Sequence, residues 1–309
     1  MTEETSPRTS PAWEAWTIRG VAALAVVVAL VLAAVAWGAV VHGHPAYAVM
    51  LAATVAVGGL TLWRWRRARR AGGAGLLILR VVGIFAALAW VGMIAWLKPF
   101  VATEPALSAM ASDDAVTVTE SATRIVMEPA EATGAGLVFY PGARVDPRAY
   151  AAHLRALAED GHPVVIVKEP LGIAFLSVGA LAPVIDGRGG AWAVGGHSLG
   201  GTVAALEADR EGPAGLLLWA SYPAGDMASY GGAVASVSGS LDGLATPADI
   251  DASRADLPDA AVFTEIEGAV HAQFGSYGAQ PGDGEPTIPD DEARAAIVAA
   301  SLALLDAAG

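Results

Sequence analysis

The pattern of apolar and polar positions splits the chain into a greasy first hundred residues and a finely patterned remainder. Val21 to Val41 is an uncharged run of 21 residues, about 31 Å long as a helix and so able to cross the apolar core of a bilayer. A polar bend, His42-Gly43-His44-Pro45, separates it from a second uncharged run, Ala46 to Trp63. A third extends from Leu76 to Leu97 and carries one charge, Arg80, close enough to its end to snorkel toward headgroups. Three membrane-spanning helices are therefore expected at about 21–41, 46–63 and 76–97, making 21–97 a membrane region. In front of them, residues 1–20 read as a polar tail with Pro7 and Pro11; behind them, 98–114, with Pro99 and Pro105, read as a linker.

From 115 to 309 the period changes. Short apolar runs bounded by glycine, proline and small polar residues recur at Val116-Thr117-Val118, Arg124 to Met127, Gly136 to Tyr140, Val164 to Val167, Ala191 to Val194, Gly215 to Ala220, Ala233 to Val237 and Ala261 to Ile266. Helical stretches alternate with most of them. One starts at Asp146-Pro147, an N-cap followed by a first-turn proline, and carries Tyr150, Leu154 and Leu157 on one face. Another is expected around Ala174 to Val184, a third follows Ser198, and a last one presents Ile297, Val298, Leu302 and Leu305. Strands alternating with helices predict an α/β domain with a mostly parallel central sheet and helices on both faces.

Charge sharpens the division. Residues 1–100 hold nine Lys/Arg against three acids, net +6, and residues 101–309 hold nine against twenty-eight, net −19, which together give the −13 of the whole chain. The acidic half is a poor partner for nucleic acid, which demands clustered Lys/Arg. Five arginines, Arg64, Arg66, Arg67, Arg69 and Arg70, sit with Trp63 and Trp65 in the loop between the second and third apolar runs. Short loops rich in Lys/Arg stay in the cytoplasm. This expectation puts the N-terminus inside the cell membrane and everything after Leu97 outside it. The chain has no cysteine, hence no disulfide and no thiolate metal site; His42 and His44 have metal-like spacing but read as polar residues of a turn. No metal and no cofactor are expected.

The candidate chemistry lies where the fifth apolar run meets a helix. Gly196-His197-Ser198-Leu199-Gly200 is a G-x-S-x-G at a strand-to-helix turn, where small residues on either side let strand and helix approach closely and leave the serine projecting. The Leu199 amide, at the helix start, would donate to an oxyanion. A second amide is expected from Ala143, in the loop Pro141-Gly142-Ala143-Arg144 after the third strand. A serine hydroxyl needs a base, and the base an orienting acid. Asp242 follows the seventh run in a tight turn and His271 follows the eighth in a loop, both at carboxyl strand ends. An inert domain also holds carboxylates in turns and histidines in loops, and Asp226, after the sixth run, is a competing acid. His197 points the wrong way to serve its neighbour, and His153 and His162 fall on a helix and at the opposite end of the sheet. Arg144 and Lys168 are either anion contacts or solvated rim charges.

From about Val116 onward the chain resembles the α/β-hydrolase superfamily, and within it the small, nearly capless bacterial branch related to dienelactone hydrolases. The residues that carry the resemblance are Tyr140-Pro141-Gly142, Gly195 to Gly201, Gly239-Ser240-Leu241-Asp242-Gly243 and His271 to Gly278. It implies an α/β-hydrolase fold with a minimal cap and a Ser198, Asp242, His271 triad in that chain order. The nucleophile is serine where dienelactone hydrolases proper use cysteine. The expected activity is that of a membrane-anchored serine hydrolase cleaving an ester or related acyl bond of a small-molecule or lipid-like substrate. An acyltransferase using the same triad and a non-catalytic binding module at the cell envelope are the alternatives. Tyr222, Met227, Tyr230, Phe274 and Tyr277 are expected to wall an open cleft, with Arg144, Tyr222, Phe274 and Tyr277 touching substrate.

Overall fold

The computed structural model describes residues 12–64 and 74–309. The tail up to Pro11 and the arginine run beyond Arg64 lie outside the described residues. The chain forms two compact units, one comprising Met1–Val40 and Ala46–Lys98, the other Val41–Pro45 and Pro99–Gly309.

The first unit is built on three helices, α1 (Ala12–Val35), α3 (Pro45–Trp63) and α4 (Ala74–Trp96), with a short α2 (Trp37–His42) after the first. All three long helices are long and apolar enough to cross a membrane. Helix α1 begins inside the stretch read as polar tail. An acid within that stretch, Glu14, is buried and lies 2.7 Å from Arg80. Arg80 therefore does not snorkel; it closes an ion pair, which in apolar surroundings costs far less than either charge alone. Polar side chains elsewhere in the unit also turn inward. The Tyr47 hydroxyl donates to the Ile94 carbonyl at 2.9 Å, and Trp90 Nε1 donates to Thr54 Oγ1 at 2.9 Å. Gly58 lets α3 pack closely, since a Cβ there would sit 2.6 Å from Val26 Cγ2. Val27, Leu30 and Val31 of α1 remain exposed, an outward apolar face that suits lipid.

The second unit is an eight-stranded sheet in the order β1-β2-β4-β3-β5-β6-β7-β8. Its strands are β1 (Val116–Glu120), β2 (Arg124–Pro129), β3 (Gly136–Tyr140), β4 (Val164–Val167), β5 (Trp192–His197), β6 (Gly215–Trp219), β7 (Ala233–Gly239) and β8 (Val262–Ile266). Strand β2 pairs antiparallel with both β1 and β4 at one edge, and the remaining pairings are all parallel. Helices α5 (Ala151–Glu159) and α9 (Asp290–Ala308) cover one face and α7 (Leu199–Glu211) the other. Central strands β3 to β6 are buried along their whole length, as parallel strands covered on both faces must be. This is the α/β architecture, a mostly parallel sheet with helices on both faces, that the strand and helix pattern predicts.

Two segments differ from the sequence reading. The helix expected around Ala174 to Val184 is instead a 3₁₀ turn, Ala174–Ser177, and a single-turn α6, Ala182–Ile185. Gly179 between them has φ 91°, outside helical space, and Pro183 cannot continue a helix from upstream. The stretch read as a linker is docked on the domain: Phe100 bridges Val145, Thr103 donates to the Ser276 carbonyl at 2.8 Å, and Ala102 and Ala106 are buried in the core.

Candidate active site

The turn between β5 and α7 holds Ser198 at φ 53°, ψ −125°, a conformation that costs a non-glycine residue roughly 1–3 kcal/mol and persists only where surroundings enforce it. Those surroundings are visible. A Cβ on Gly196 would strike the Gly200 backbone, and one on Gly200 would strike the carbonyls of Tyr140 and Pro141, so only glycines let strand, helix and the loop after β3 meet. The Ser198 amide donates to the Trp219 carbonyl at 2.9 Å, while its own carbonyl accepts from the Gly201 amide at 3.0 Å and the Ser221 hydroxyl at 2.6 Å. The side chain is partly exposed.

His271 opens a one-turn 3₁₀ helix, His271–Phe274, after β8. Its Nδ1 donates to Asp242 Oδ2 at 2.8 Å, and both side chains are buried. The other carboxylate oxygen, Oδ1, accepts from the amides of Leu244 at 2.7 Å and Ala245 at 2.8 Å. His271 Nε2 is buried without a hydrogen-bond partner among the described residues, so the ring is held at one nitrogen and open at the other. It lies 4.4 Å, centroid to centroid, from the ring of His197, the residue before Ser198. No serine–histidine hydrogen bond is formed, a bond that in free hydrolases often tightens only with substrate. Asp226, the competing acid, caps its own turn through the Ala228 amide at 2.9 Å and is exposed.

The two loops that bring this pair together are fastened by Asp283. Its carboxylate accepts from the amides of Gly243 and His271, both at 3.2 Å, and from those of Ala272 and Gly284, both at 2.8 Å. One acidic side chain thus ties the Asp242 turn to the His271 turn.

On the oxyanion side, the Gly142 amide donates to the Tyr150 hydroxyl at 2.8 Å, and that hydroxyl donates in turn to His197 Nδ1 at 2.9 Å. Burial first, then the nearby His271 and His153, hold the His197 pKa well below the ordinary histidine value. His197 is therefore neutral and accepts at Nδ1. It serves as a strut for the loop after β3, and sequence reasoning had assigned neither it nor Tyr150 this part. With Gly142 engaged, the amides of Ala143 and Leu199 are left without an acceptor among the described residues, which is what an oxyanion pair requires. Tyr150→Phe removes the acceptor of the buried Gly142 N–H, at a cost of about 1–3 kcal/mol. Turnover of p-nitrophenyl acetate by this variant is expected to drop in kcat by roughly 10- to 100-fold, as for a weakened oxyanion donor, with KM little changed; steady-state kinetics check it.

Other expected site residues fall less well. Tyr222 stays exposed at the rim, its carbonyl accepting from Thr202 Oγ1 of α7 at 3.0 Å. Arg144 adopts φ 60°, with its amide on the Gly172 carbonyl at 2.7 Å and its guanidinium over the Phe100 ring at 5.3 Å. Phe274, expected to touch substrate, is fully buried, stacked on His197 with centroids 5.8 Å apart. Tyr277 is also buried and donates to Gln280 Oε1 at 3.1 Å. Met227 is in the core, and the Tyr230 hydroxyl reaches the Pro213 carbonyl, just before the amino end of β6, at 2.6 Å, so neither walls a cleft. Lys168 is buried in an ion pair with Glu120 at 2.7 Å, and the same carboxylate meets His42 Nδ1 at 3.0 Å. No group of three metal-ligating side chains occurs among the described residues.

A family model described as the alpha/beta hydrolase family matches residues 136–295, more than half of the chain, from β3 into α9. The chain belongs to the alpha/beta hydrolase family. The hydrolase unit is also similar to solved structures. A predicted CIB-like hydrolase from Thermoplasma acidophilum is 12% identical, with a TM-score of 0.48 over 61% of this chain and 100% of that one. A lidless a/b serine hydrolase from Xanthomonas campestris is 13% identical, with a TM-score of 0.44 over 63% and 97%. An alpha-beta serine hydrolase homologue from Coxiella burnetii is 14% identical, with a TM-score of 0.43 over 61% and 98%. No curated protein matches the sequence.

Proposed function

We propose that this hydrolase is membrane-anchored, of the small lidless kind that resembles dienelactone hydrolases, and cleaves an ester or related acyl bond through Ser198. His271 Nε2 takes the serine proton as the hydroxyl attacks the acyl carbon. Asp242 holds the imidazole with its proton on Nδ1 and stabilises the imidazolium that forms. The amides of Leu199 and Ala143 receive the oxyanion. His271 then returns the proton to the leaving group, and water repeats the sequence on the acyl-enzyme. The observation that carries this reading is the 2.8 Å Asp242–His271 bond with Nε2 left open, next to a strained serine and two unengaged amides. Labelling by a fluorophosphonate probe tests it, since only an activated serine reacts; an unlabelled full-length protein would refute it.

The same proposal places the hydrolase unit outside the cell. Five arginines between two short-looped spans hold that loop in the cytoplasm, and a unit of net −19 is carried away from the anionic inner leaflet. Single cysteines at Ser112 and Ala68 in intact cells are expected to react with an impermeant maleimide at 112 and not at 68. The reverse pattern would put the hydrolase in the cytoplasm.

A further inference from the structure

The hydrolase unit buries nearly all of its large apolar side chains, and the exceptions are not scattered. Of the eight exposed ones from Pro99 onward, six are Phe175, Leu176, Val178, Tyr222, Leu241 and Leu244, the others being Leu107 and Val262. Those six lie on the segments that leave the carboxyl ends of β4, β6 and β7, the edge of the sheet from which Ser198, Ala143 and His271 also arise. Leu241 and Leu244 flank Asp242, and Tyr222 is tied to α7 through Thr202.

The richest part of this collar, 173–181, is held firmly. Gly172 at its start accepts from the Arg144 amide at 2.7 Å, and at its end the buried Glu207 of α7 accepts from the amides of Gly179 at 2.6 Å and Leu181 at 3.2 Å. Fixed main chain between the oxyanion loop and the elbow helix therefore presents Phe175, 49% exposed, and Leu176, 56% exposed, to the surroundings. From Pro170 to Ile185 there is no charged residue. Residues 220–232, between β6 and β7, form no helix that would cover the rim.

An apolar patch of this kind around a site marks a partner or a substrate surface. The chain names its neighbourhood, because it carries three helices long and apolar enough to cross a membrane. Its hydrolase unit, at −19, is repelled by anionic headgroups, which leaves lipids without net charge. We propose that the collar receives the acyl chain of a membrane lipid, so that the substrate is a long-chain ester of an uncharged or zwitterionic lipid taken at the bilayer surface. This rests on the hydrolase reading above and adds the substrate class. Each methylene the collar removes from water is worth roughly a threefold to fourfold gain in kcat/KM.

The full chain in phosphatidylcholine nanodiscs, assayed with p-nitrophenyl acetate and p-nitrophenyl laurate, tests the proposal. Two variants are used, Phe175→Ser with Leu176→Ser, and separately Val178→Ser, all at exposed positions. Because each substrate partitions into the disc equally for wild type and variant, the ratio of variant to wild type isolates the collar. The double variant is expected to lose tenfold or more in kcat/KM on laurate, and Val178→Ser about threefold, with acetate turnover and fluorophosphonate labelling unchanged. Equal rates on laurate for wild type and both variants, or equal losses on the two esters, would overturn the proposal. So would a smaller assembly in sedimentation of the variants, which would assign the collar to a second copy of the chain. A wild type that neither cleaves acetate nor takes the fluorophosphonate fails at the hydrolase reading itself and removes both.

Discussion

Ser198→Ala is expected to abolish fluorophosphonate labelling and to reduce hydrolysis of a short activated ester by a factor on the order of 10⁴ or more. The substitution leaves the fold alone. Among the described residues the Ser198 hydroxyl makes no hydrogen bond, whereas the turn is held by its main chain, through Trp219, Gly201 and Ser221. The thermal midpoint should therefore stay with the wild type while activity falls. His271→Ala should cost about as much as loss of the serine, since groups that act as one unit are not additive. Whatever rate survives belongs to the amides of Leu199 and Ala143, which neither substitution touches. Undiminished labelling of the alanine variant in a mass-resolved assay would move the nucleophile elsewhere.

Much of this arrangement was legible in the sequence, for physical reasons that also explain what was not. The eight strands announce themselves because strands buried on both faces are continuous apolar runs, cut by glycine and proline where the chain must turn. Ser198, Asp242 and His271 stand out because each follows such a run, so their places at one edge of the sheet come from counting strands. The side chains that organise the site stay hidden. Tyr150, Ser221 and Asp283 act on main-chain amides and carbonyls brought from distant segments, and a main-chain partner leaves no mark on the sequence. Tyr150 offered the only hint: on the apolar face of its helix, its hydroxyl needed a buried partner.

The misread residues fail in the same way. Glu14 looked like part of a solvated tail because its partner, Arg80, lies two helices away in the chain. Phe274 and Tyr277 looked like cleft walls because they follow His271, but the 3₁₀ turn that aims His271 toward Asp242 sends Phe274 inward against His197 and Trp219. Residues 98–114 looked like a linker on composition, yet the Phe100 amide takes the Arg144 carbonyl at 2.7 Å and its carbonyl takes the Asp146 amide at 2.9 Å. A proline-rich segment that supports the oxyanion loop is indistinguishable, by composition, from one that supports nothing.

Asp242→Asn is expected to lower kcat by a factor on the order of 10⁴, while Asp226→Asn leaves it unchanged. The size follows from which atoms Asp242 uses. Oδ1 accepts from two amides, those of Leu244 and Ala245, so an asparagine would keep its carbonyl oxygen there and turn its NH₂ toward His271 Nδ1. Two donors cannot share that contact. Nδ1 would have to give up its proton and accept, and the proton would sit on Nε2, the nitrogen that must take one from Ser198. The variant would thus be folded, correctly shaped and locked in the wrong tautomer. Its loss should ease as pH rises, because hydroxide can then replace the missing base, so log kcat should climb with pH where the wild type is flat. Asp226 accepts from the Ala228 amide in its own turn and can impose no such tautomer. A silent Asp242→Asn together with a crippling Asp226→Asn would move the acid to the turn after β6.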